Sequence, residues 1–214
     1  MATQQRARDT RASIIDGAAA VFDARGYANA SLELIADEAR VTRGALYFHF
    51  KSKQEIANAV IAEQHRLSRE DAERALATSA SAFEGLLRWS VGLARQLTSE
   101  IVVSAGIRLT TDGTASELSA IDPYLDWMQA VEGLLARARD EGDVRATADP
   151  ASAAAFIIPA YTGVQLVSDS LHDRTDLVER VHDMWALLIP GLIVPERVAA
   201  TEELLARVTS PEAG

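Results

Sequence analysis

Cysteine is absent from the 214-residue chain. Without thiols the protein can form neither disulfides nor thiolate metal sites, and we expect it to work in the reducing cytoplasm. No apolar run approaches the roughly 18–20 residues of a membrane span. The polar, basic residues 1–13 lack the apolar stretch of a signal peptide. We therefore expect a cytoplasmic protein that makes no contact with a membrane.

Signatures of catalysis are missing as well. The sequence has no Ser/His/Asp spacing around a nucleophile elbow, no glycine-rich phosphate loop and no paired carboxylates in an apolar setting. His65, His172 and His182 are not spaced as metal ligands. The sequence thus predicts a protein that is not an enzyme and that binds no cofactor or metal.

Lysine is scarce, and charge is unevenly distributed along the chain. The two lysines are Lys51 and Lys53, and the formal net charge is −10. Residues 1–53 contain eight basic and six acidic side chains, whereas residues 54–214 contain thirteen and twenty-five. This asymmetry indicates two regions with different partners. The acidic remainder argues against a second nucleic-acid surface there.

The spacing of apolar residues predicts an all-α chain, since the alternation typical of strands is not found. Ser52 and Ser81 each precede a glutamate by three residues, as in a capping box. Asp122 and Asp149 each precede a proline, which is typical of a helix start. The predicted helices cover residues 9–25, 31–38, 42–48, 52–77, 81–97, 99–109, 120–140, 150–170, 175–190 and 196–208.

Two short helices at residues 31–38 and 42–48 carry the chemistry of the N-terminal region. Ser31 is predicted to cap the first and Thr42 the second, so that together they form a helix-turn-helix. Gly44 and Ala45 are small, as a helix lying close to DNA requires. On spacing alone, two packing helices with a solvated charge cluster explain these residues equally well.

The side chains around the second short helix match the needs of DNA binding. Arg43 can reach a guanine edge or a phosphate, and Tyr47 and His49 can donate to phosphates. Lys51 and Lys53 extend this phosphate track. The predicted DNA-binding residues are Ser31, Thr42, Arg43, Gly44, Ala45, Tyr47, His49, Lys51 and Lys53.

This segment resembles the helix-turn-helix of the tetracycline-repressor (TetR) family over roughly residues 10–60. The matching motifs are Val21-Phe22 with Gly26-Tyr27, Ile35-Ala36, the run from Val41 to Phe50, and Lys51-Ser52-Lys53. The resemblance implies nine or ten helices, with a DNA-binding domain over 1–53 and a ligand-binding and dimerisation domain over 54–214. It also implies a dimer whose two recognition helices lie about 34 Å apart on a pseudo-palindromic operator.

The chain further resembles the γ-butyrolactone receptor branch of that family. The residues that match are 44–50, 105–109, Trp127, 163–167 and Met184-Trp185. This resemblance implies release from DNA by a small lactone, butenolide or furan signal, and control of secondary metabolism. A homologue that answers an antibiotic or another hydrophobic compound stays open as an alternative, as does a helical small-molecule carrier without DNA function.

A small lactone needs an apolar slot for its alkyl tail and one or two polar contacts for its oxygens. Trp127 is predicted to cover the ring, unless it is an ordinary core tryptophan. Gln64 and Thr162 are the candidate polar contacts. Gln64 could instead be an exposed helix residue, and Thr162 could bond its own backbone. The slot is predicted to be lined by Phe83, Leu86, Leu87, Val131 and Leu134.

Two helices near the end of the chain, at 150–170 and 175–190, are apolar on more than one face. Such helices are expected to be buried against another chain as well as their own. We therefore predict a homodimer through a four-helix interface of these C-terminal helices. Gln165 interrupts the apolar run, and an interface hydrogen bond is favoured over a ligand contact for it.

Overall fold

The computed structural model describes residues 2–111 and 123–210, and within them the chain is helical. The predicted all-α class is confirmed, with one short 3₁₀ turn at Pro195–Arg197. The helices are α1 (Ala2–Asn29), α2 (Leu32–Glu38), α3 (Arg43–His49), α4 (Lys53–Ala77), α5 (Ala82–Ser99), α6 (Ile101–Thr111), α7 (Pro123–Asp140), α8 (Pro150–His172), α9 (Leu177–Leu192) and α10 (Val198–Thr209).

Local side-chain hydrogen bonds set where several helices begin. Ser31, Thr42 and Asp149 each accept a hydrogen bond from the backbone N–H three residues later, at 3.0–3.2 Å. The Ser52 and Ser81 hydroxyls make the same contact at 3.1 and 3.3 Å. These bonds satisfy N–H groups that have no partner inside the helix. The predicted cap at Asp122 lies outside the described residues.

Helix α1 is longer than the 9–25 predicted from its apolar stripe. It runs Ala2–Asn29 and departs from helical geometry at Gly26, where φ is 72°. The extension at its start contains Ala, Gln and Arg, which favour helix without contributing an apolar face. Periodicity therefore underestimates the length of this helix.

The described residues divide into two compact units. The first unit contains residues 2–68 and 99–111, and the second contains 69–98 and 123–210. Helix α6 thus belongs with the N-terminal helices, and it packs extensively on α1. The predicted functional division at residue 53 stays a prediction. By compactness, residues 53–68 of α4 and the whole of α6 group with the helix-turn-helix.

The core of the first unit fixes the helix-turn-helix in place. Leu46 of α3 and Phe50 are 1% and 2% exposed and pack in one cluster with Phe22 of α1. At Gly17, an added Cβ would lie 2.6 Å from the backbone nitrogen of Ala39, just after α2. Only glycine permits this close approach of α1 to the end of α2.

A buried polar network joins α5, α8 and α9 in the second unit. The indole N–H of Trp185 donates to Ser90 Oγ at 2.8 Å, and the Tyr161 hydroxyl donates to the Ser90 carbonyl at 2.9 Å. The Phe83 ring stands edge-on to Trp185, with centroids 5.7 Å apart. Because buried donors are costly unless paired, these bonds fix the three helices in one arrangement.

Helix α8 contains no uninterrupted apolar run of the length of a membrane span, but its average composition reaches that of one. By length and composition alone it could cross a bilayer, with a mean hydropathy of 1.3 over 18 residues, of which 22% are buried. Single small or polar residues interrupt its apolar residues, so mean hydropathy detects this helix and the length of apolar runs does not. Its exposed apolar side chains are Phe156, Leu166, Val167 and Leu171.

Candidate DNA-binding and ligand-binding sites

The turn between α2 and α3 is closed by a Schellman motif. The N–H of Val41 donates to the Ala36 carbonyl at 3.0 Å, and the N–H of Arg40 donates to the Asp37 carbonyl at 3.1 Å. Arg40 adopts the left-handed conformation that this motif requires, with φ of 54°. The chain therefore turns sharply from α2 into the Thr42 cap of α3.

Helix α3 buries Leu46 and leaves its other faces accessible. The Arg43 guanidinium is 3.4 Å from a Glu33 carboxylate oxygen, and both side chains are largely exposed. The pKa of Glu33 lies below its ordinary value because its own backbone N–H donates to the carboxylate and because Arg43 is near. Such an exposed pair is weak, so a phosphate or a base can replace Glu33 as the partner of Arg43.

Packing within the chain does not require a glycine at position 44. A Cβ added there would meet only Thr42 Oγ1, at 3.9 Å. Tyr47 beside it is 54% exposed, and Phe48 is 81% exposed. Ala45 and His49 are half-buried, and the His49 ring meets Phe48 edge-on at 5.1 Å. The sequence had not singled out Phe48, although an apolar residue beside two predicted contacts was a usable signal.

The two lysines that follow α3 have different environments. Lys51 is exposed. The Lys53 ammonium donates to the carbonyls of Tyr27 and Ala30 at 2.7 and 2.9 Å, and lies 4.4 Å from the centre of the Tyr27 ring. Lys53 thereby fastens the start of α4 to the end of α1. A DNA contact by Lys53 stays a prediction, and its ammonium would have to give up these carbonyls to make one.

The predicted lining of the ligand slot lies in the second unit, largely in its core. Phe83, Leu86 and Leu87 on α5 and Val131 on α7 are at most 2% exposed. Leu134 and Trp127 are half-buried. The Trp127 ring meets Tyr124 edge-on, with centroids 5.4 Å apart. Burial of the four apolar residues fits both a slot lining and ordinary core packing, so their ligand contacts stay predictions.

The two predicted polar contacts differ sharply. The Thr162 hydroxyl donates to the Ile158 carbonyl of its own helix at 2.9 Å. This is the backbone bond that was the alternative to a ligand contact. Gln64 lies in the first unit and is fully buried, not exposed. Within the described part of the chain, neither its amide nitrogen nor its amide oxygen has a hydrogen-bond partner. An unpaired buried amide of this kind costs about 1–3 kcal/mol.

Helix α6 connects this amide to the DNA-binding helices of the same unit. Gly106 on α6 packs directly on the Gln64 side chain. Two residues to either side of Gly106, the Ser104 hydroxyl donates to Asp23 Oδ1 at 2.5 Å, and the Arg108 guanidinium donates to the Asp23 carbonyl. Asp23 lies near the end of α1. No local sequence pattern predicts these bonds, because they join residues about eighty positions apart.

Both the N-terminal and the C-terminal parts of the chain match known protein families. Residues 14–60 match the family of bacterial regulatory proteins of the tetR type, and residues 80–195 match a tetracyclin repressor-like C-terminal domain. The chain belongs to the TetR family. It is a TetR-type repressor related to the γ-butyrolactone receptors and is not an enzyme.

The similarity to individual TetR-family proteins extends over nearly the whole chain. The A-factor receptor protein of Streptomyces griseus is 36% identical over 93% of this chain and 69% of that protein. A solved ArpA-like γ-butyrolactone receptor is 33% identical, with a TM-score of 0.82 over 95% of this chain and 98% of that one. CprB of Streptomyces coelicolor, solved with its operator sequence, is 34% identical, with a TM-score of 0.84 over 96% and 98%. Both predicted resemblances are therefore confirmed.

The surface of α8 and α9 is the part of this TetR-family chain that was predicted to form a dimer. Leu171 is 65% exposed and Leu187 is 83% exposed. Gln165, predicted at the interface, is instead 3% exposed in the single chain, so it lies inside the second unit rather than on its surface. The exposed leucines leave apolar area that a second chain can cover.

Proposed function

We propose that this protein is a dimeric, cytoplasmic repressor that binds a pseudo-palindromic operator through α2 and α3. A small hydrophobic signal of the γ-butyrolactone, butenolide or furan type releases it from DNA and so relieves repression of secondary metabolism. The relation to the A-factor receptor and to γ-butyrolactone receptors supports the class of signal. The CprB–operator complex supports the mode of DNA binding.

In this proposal α3 enters the major groove and the side chains around it contact DNA. Arg43 exchanges Glu33 for a base edge or a phosphate. Gly44 has no Cβ to hold the helix away from the bases, which fits a position with open space around it. Tyr47 and Lys51 are exposed and contact phosphates. The Ser31 and Thr42 caps hold both helices in place while these contacts form.

The unpaired Gln64 amide is the observation that carries the proposal for ligand release. It offers one acceptor and two donor hydrogens in a buried setting, which suits the carbonyl and hydroxyl oxygens of a lactone signal. It also lies against α6, in the same unit as α2 and α3. A ligand held there acts directly on the packing of the DNA-binding unit. The contacts predicted in the second unit, above all Trp127, are separate predictions.

Release requires that the signal bind one conformation better than the other. In the structure, Gly106 rests on Gln64, and α6 is bonded to Asp23 of α1. The proposal assigns this packing to the operator-binding conformation. A ligand that pairs the Gln64 amide favours a different spacing of α4 and α6. A coupling of about 1–3 kcal/mol then lowers operator affinity by roughly 5–150-fold.

A gel shift with DNA from upstream of the protein's own gene tests the proposal. Butyrolactone, butenolide and furan compounds, and a hydrophobic antibiotic, are titrated in parallel. Gln64→Met keeps the volume but removes the amide, so we expect full operator binding and at least a tenfold loss of ligand sensitivity. Trp127→Ala is expected to behave likewise, while Gln129→Met, an exposed residue of α7, leaves both properties unchanged.

The outcomes separate the two halves of the proposal. If Gln64→Met leaves DNA at the same ligand concentration as the natural protein, the polar contact is wrong and the repressor assignment stands. Release only by the antibiotic would replace the lactone class with the alternative signal. If the protein retards no palindromic duplex at any salt concentration, the repressor assignment itself is wrong, and a carrier role is favoured.

A further inference from the structure

Arg40 occupies a position where the backbone favours a different residue. It is the left-handed residue of the Schellman motif that ends α2, with φ of 54°. Glycine is the usual residue there and asparagine the next, because a Cβ crowds the backbone in this conformation. An arginine at such a site strains the backbone, and strained residues of this kind cluster at functional sites.

Arg174 has the same backbone conformation as Arg40, but its guanidinium has partners inside the chain. It is also left-handed, with φ of 61°, but it is 7% exposed. Its guanidinium donates to the Leu97 carbonyl at 3.3 Å and pairs with an Asp169 carboxylate oxygen at 3.0 Å. The strained backbone of Arg174 therefore places a side chain that joins elements of the second unit.

Arg40 has no comparable partner in the described part of the chain. Its side chain is exposed, and over residues 2–111 and 123–210 its guanidinium takes part in no hydrogen bond or ion pair. Arg43, three residues later, has Glu33 beside it. Within the described residues the Arg40 side chain therefore has no polar partner, although its backbone conformation is unfavourable.

We propose that Arg40 binds a phosphate of the DNA backbone when α3 is in the major groove. This rests on the proposed DNA-binding function. In a helix-turn-helix the first helix crosses the DNA backbone and the second enters the groove, so the turn between them lies beside phosphates. Guanidinium is always charged and matches phosphate with two parallel donors. The bases are read by α3 itself, which leaves the turn to position the protein on the duplex.

The test uses three variants that separate charge from backbone strain. Arg40→Gly and Arg40→Asn remove the charge and suit the left-handed conformation, whereas Arg40→Lys keeps both the charge and the strain. Binding is measured by fluorescence anisotropy on two duplexes of equal length over a salt series. One duplex is selected from a random library by the natural protein, and the other is unrelated in sequence. Thermal unfolding is measured on the same samples.

We expect Arg40→Gly and Arg40→Asn to raise Tm by about 2–4 °C and to weaken binding about fivefold or more. The slope of log K against log salt should fall by about 0.9 for each Arg40 that contacts DNA. Both duplexes should be affected alike, since phosphates carry no sequence. Arg40→Lys should stay within about twofold of the natural protein. Arg69→Ala, at an exposed arginine of α4 in the second unit, should change nothing.

Each other outcome overturns the inference. Unchanged affinity and salt slope in Arg40→Gly would show that the guanidinium does not contact DNA. Weaker binding with an unchanged slope would show a conformational role, and a loss confined to the selected duplex would show a base contact. If the natural protein selects no duplex from the library, it is the proposed function that fails, and this result is distinguishable from a specific failure at Arg40.

Discussion

Gly106 of α6 lies so close to Gln64 of α4 that no larger side chain fits between the two helices. A Cβ added to Gly106 would be 2.4 Å from Gln64 Cβ and 2.7 Å from its Cγ. The position of a Cβ is set by the backbone, so a new rotamer of Gln64 cannot relieve the first contact. The spacing of α4 and α6 is therefore fixed at this point by the absence of one methyl group.

Gly106→Ala should force α4 and α6 apart. We expect a loss of about 1–3 kcal/mol in the free energy of unfolding, measured in urea, as for other overpacked cores. Operator affinity should change in the same variant, because α6 belongs to the unit that contains α3. Gly133→Ala on α7 is the matched control. An added Cβ there meets nothing within 4 Å, and the variant should be neutral or slightly more stable. Equal stability of Gly106→Ala and the natural protein would contradict the tight approach.

The two lysines should separate stability from DNA binding. Lys53→Met removes a charged donor from the Tyr27 and Ala30 carbonyls, and we expect unfolding to become easier by about 1.5–3 kcal/mol. Lys51→Met should leave stability unchanged and reduce the salt slope of operator binding by about 0.9 for each lysine that contacts DNA. Urea unfolding and a salt series of binding measure the two effects. A reduced slope with full stability in Lys53→Met would instead favour the predicted phosphate contact.

Stability should fall in alkali partly through Tyr161. Burial raises the pKa of this phenol above its ordinary value of 10.0. The folded state keeps the proton while the unfolded state loses it, so the contribution is complete below about pH 10 and declines as pH rises further. Tyr161→Phe should lose about 1 kcal/mol at neutral pH, for the bond to the Ser90 carbonyl, yet decline less steeply above pH 10. Parallel stability curves of the variant and the natural protein above pH 10 would count against this role.

Dimerisation should depend on the exposed leucines of α8 and α9. Leu187→Glu places a charge on a side chain that is 83% exposed in the single chain, so the fold of the chain should persist while the dimer dissociates. Sedimentation equilibrium measures the mass, and circular dichroism checks the helices. Ile101→Glu, at a 43% exposed residue in the first unit, is the control and should remain dimeric. A monomeric natural protein, or a dimeric Leu187→Glu, would contradict the proposed interface.

The starts of helices were predictable because a cap acts over three residues of sequence. Ser31, Thr42 and Asp149 were assigned from their residue type and spacing, and each makes the expected bond. The assignment of α6 to the DNA-binding unit was not predictable, because α6 is apolar on nearly all sides and its periodicity names no partner. The high mean hydropathy of α8 does not follow from the length of its apolar runs, because isolated polar residues interrupt those runs.

The candidate sites were predictable to different degrees. The caps and side chains of α3 follow from a contiguous motif, which local sequence specifies well. The role of Lys53 depends on where α1 ends in space, and this was not available from the spacing of residues. The burial of Gln64 depends on Gly106, forty-two positions away, and a glycine within an apolar helix was the one sequence signal for a close approach.

The helix-turn-helix shares its core with Val102, Ala105 and Leu109 of α6, which come from the middle of the chain. The N-terminal DNA-binding helices consequently cannot be transferred to another protein without α6 and keep their core intact. A chimaera that grafts residues 1–60 onto another effector domain would expose the apolar face that α6 covers, and it would lose the Asp23–Ser104 bond. Exchange of effector specificity, in evolution or by engineering, must therefore either carry α6 along with the N-terminal helices or rebuild the surface between them.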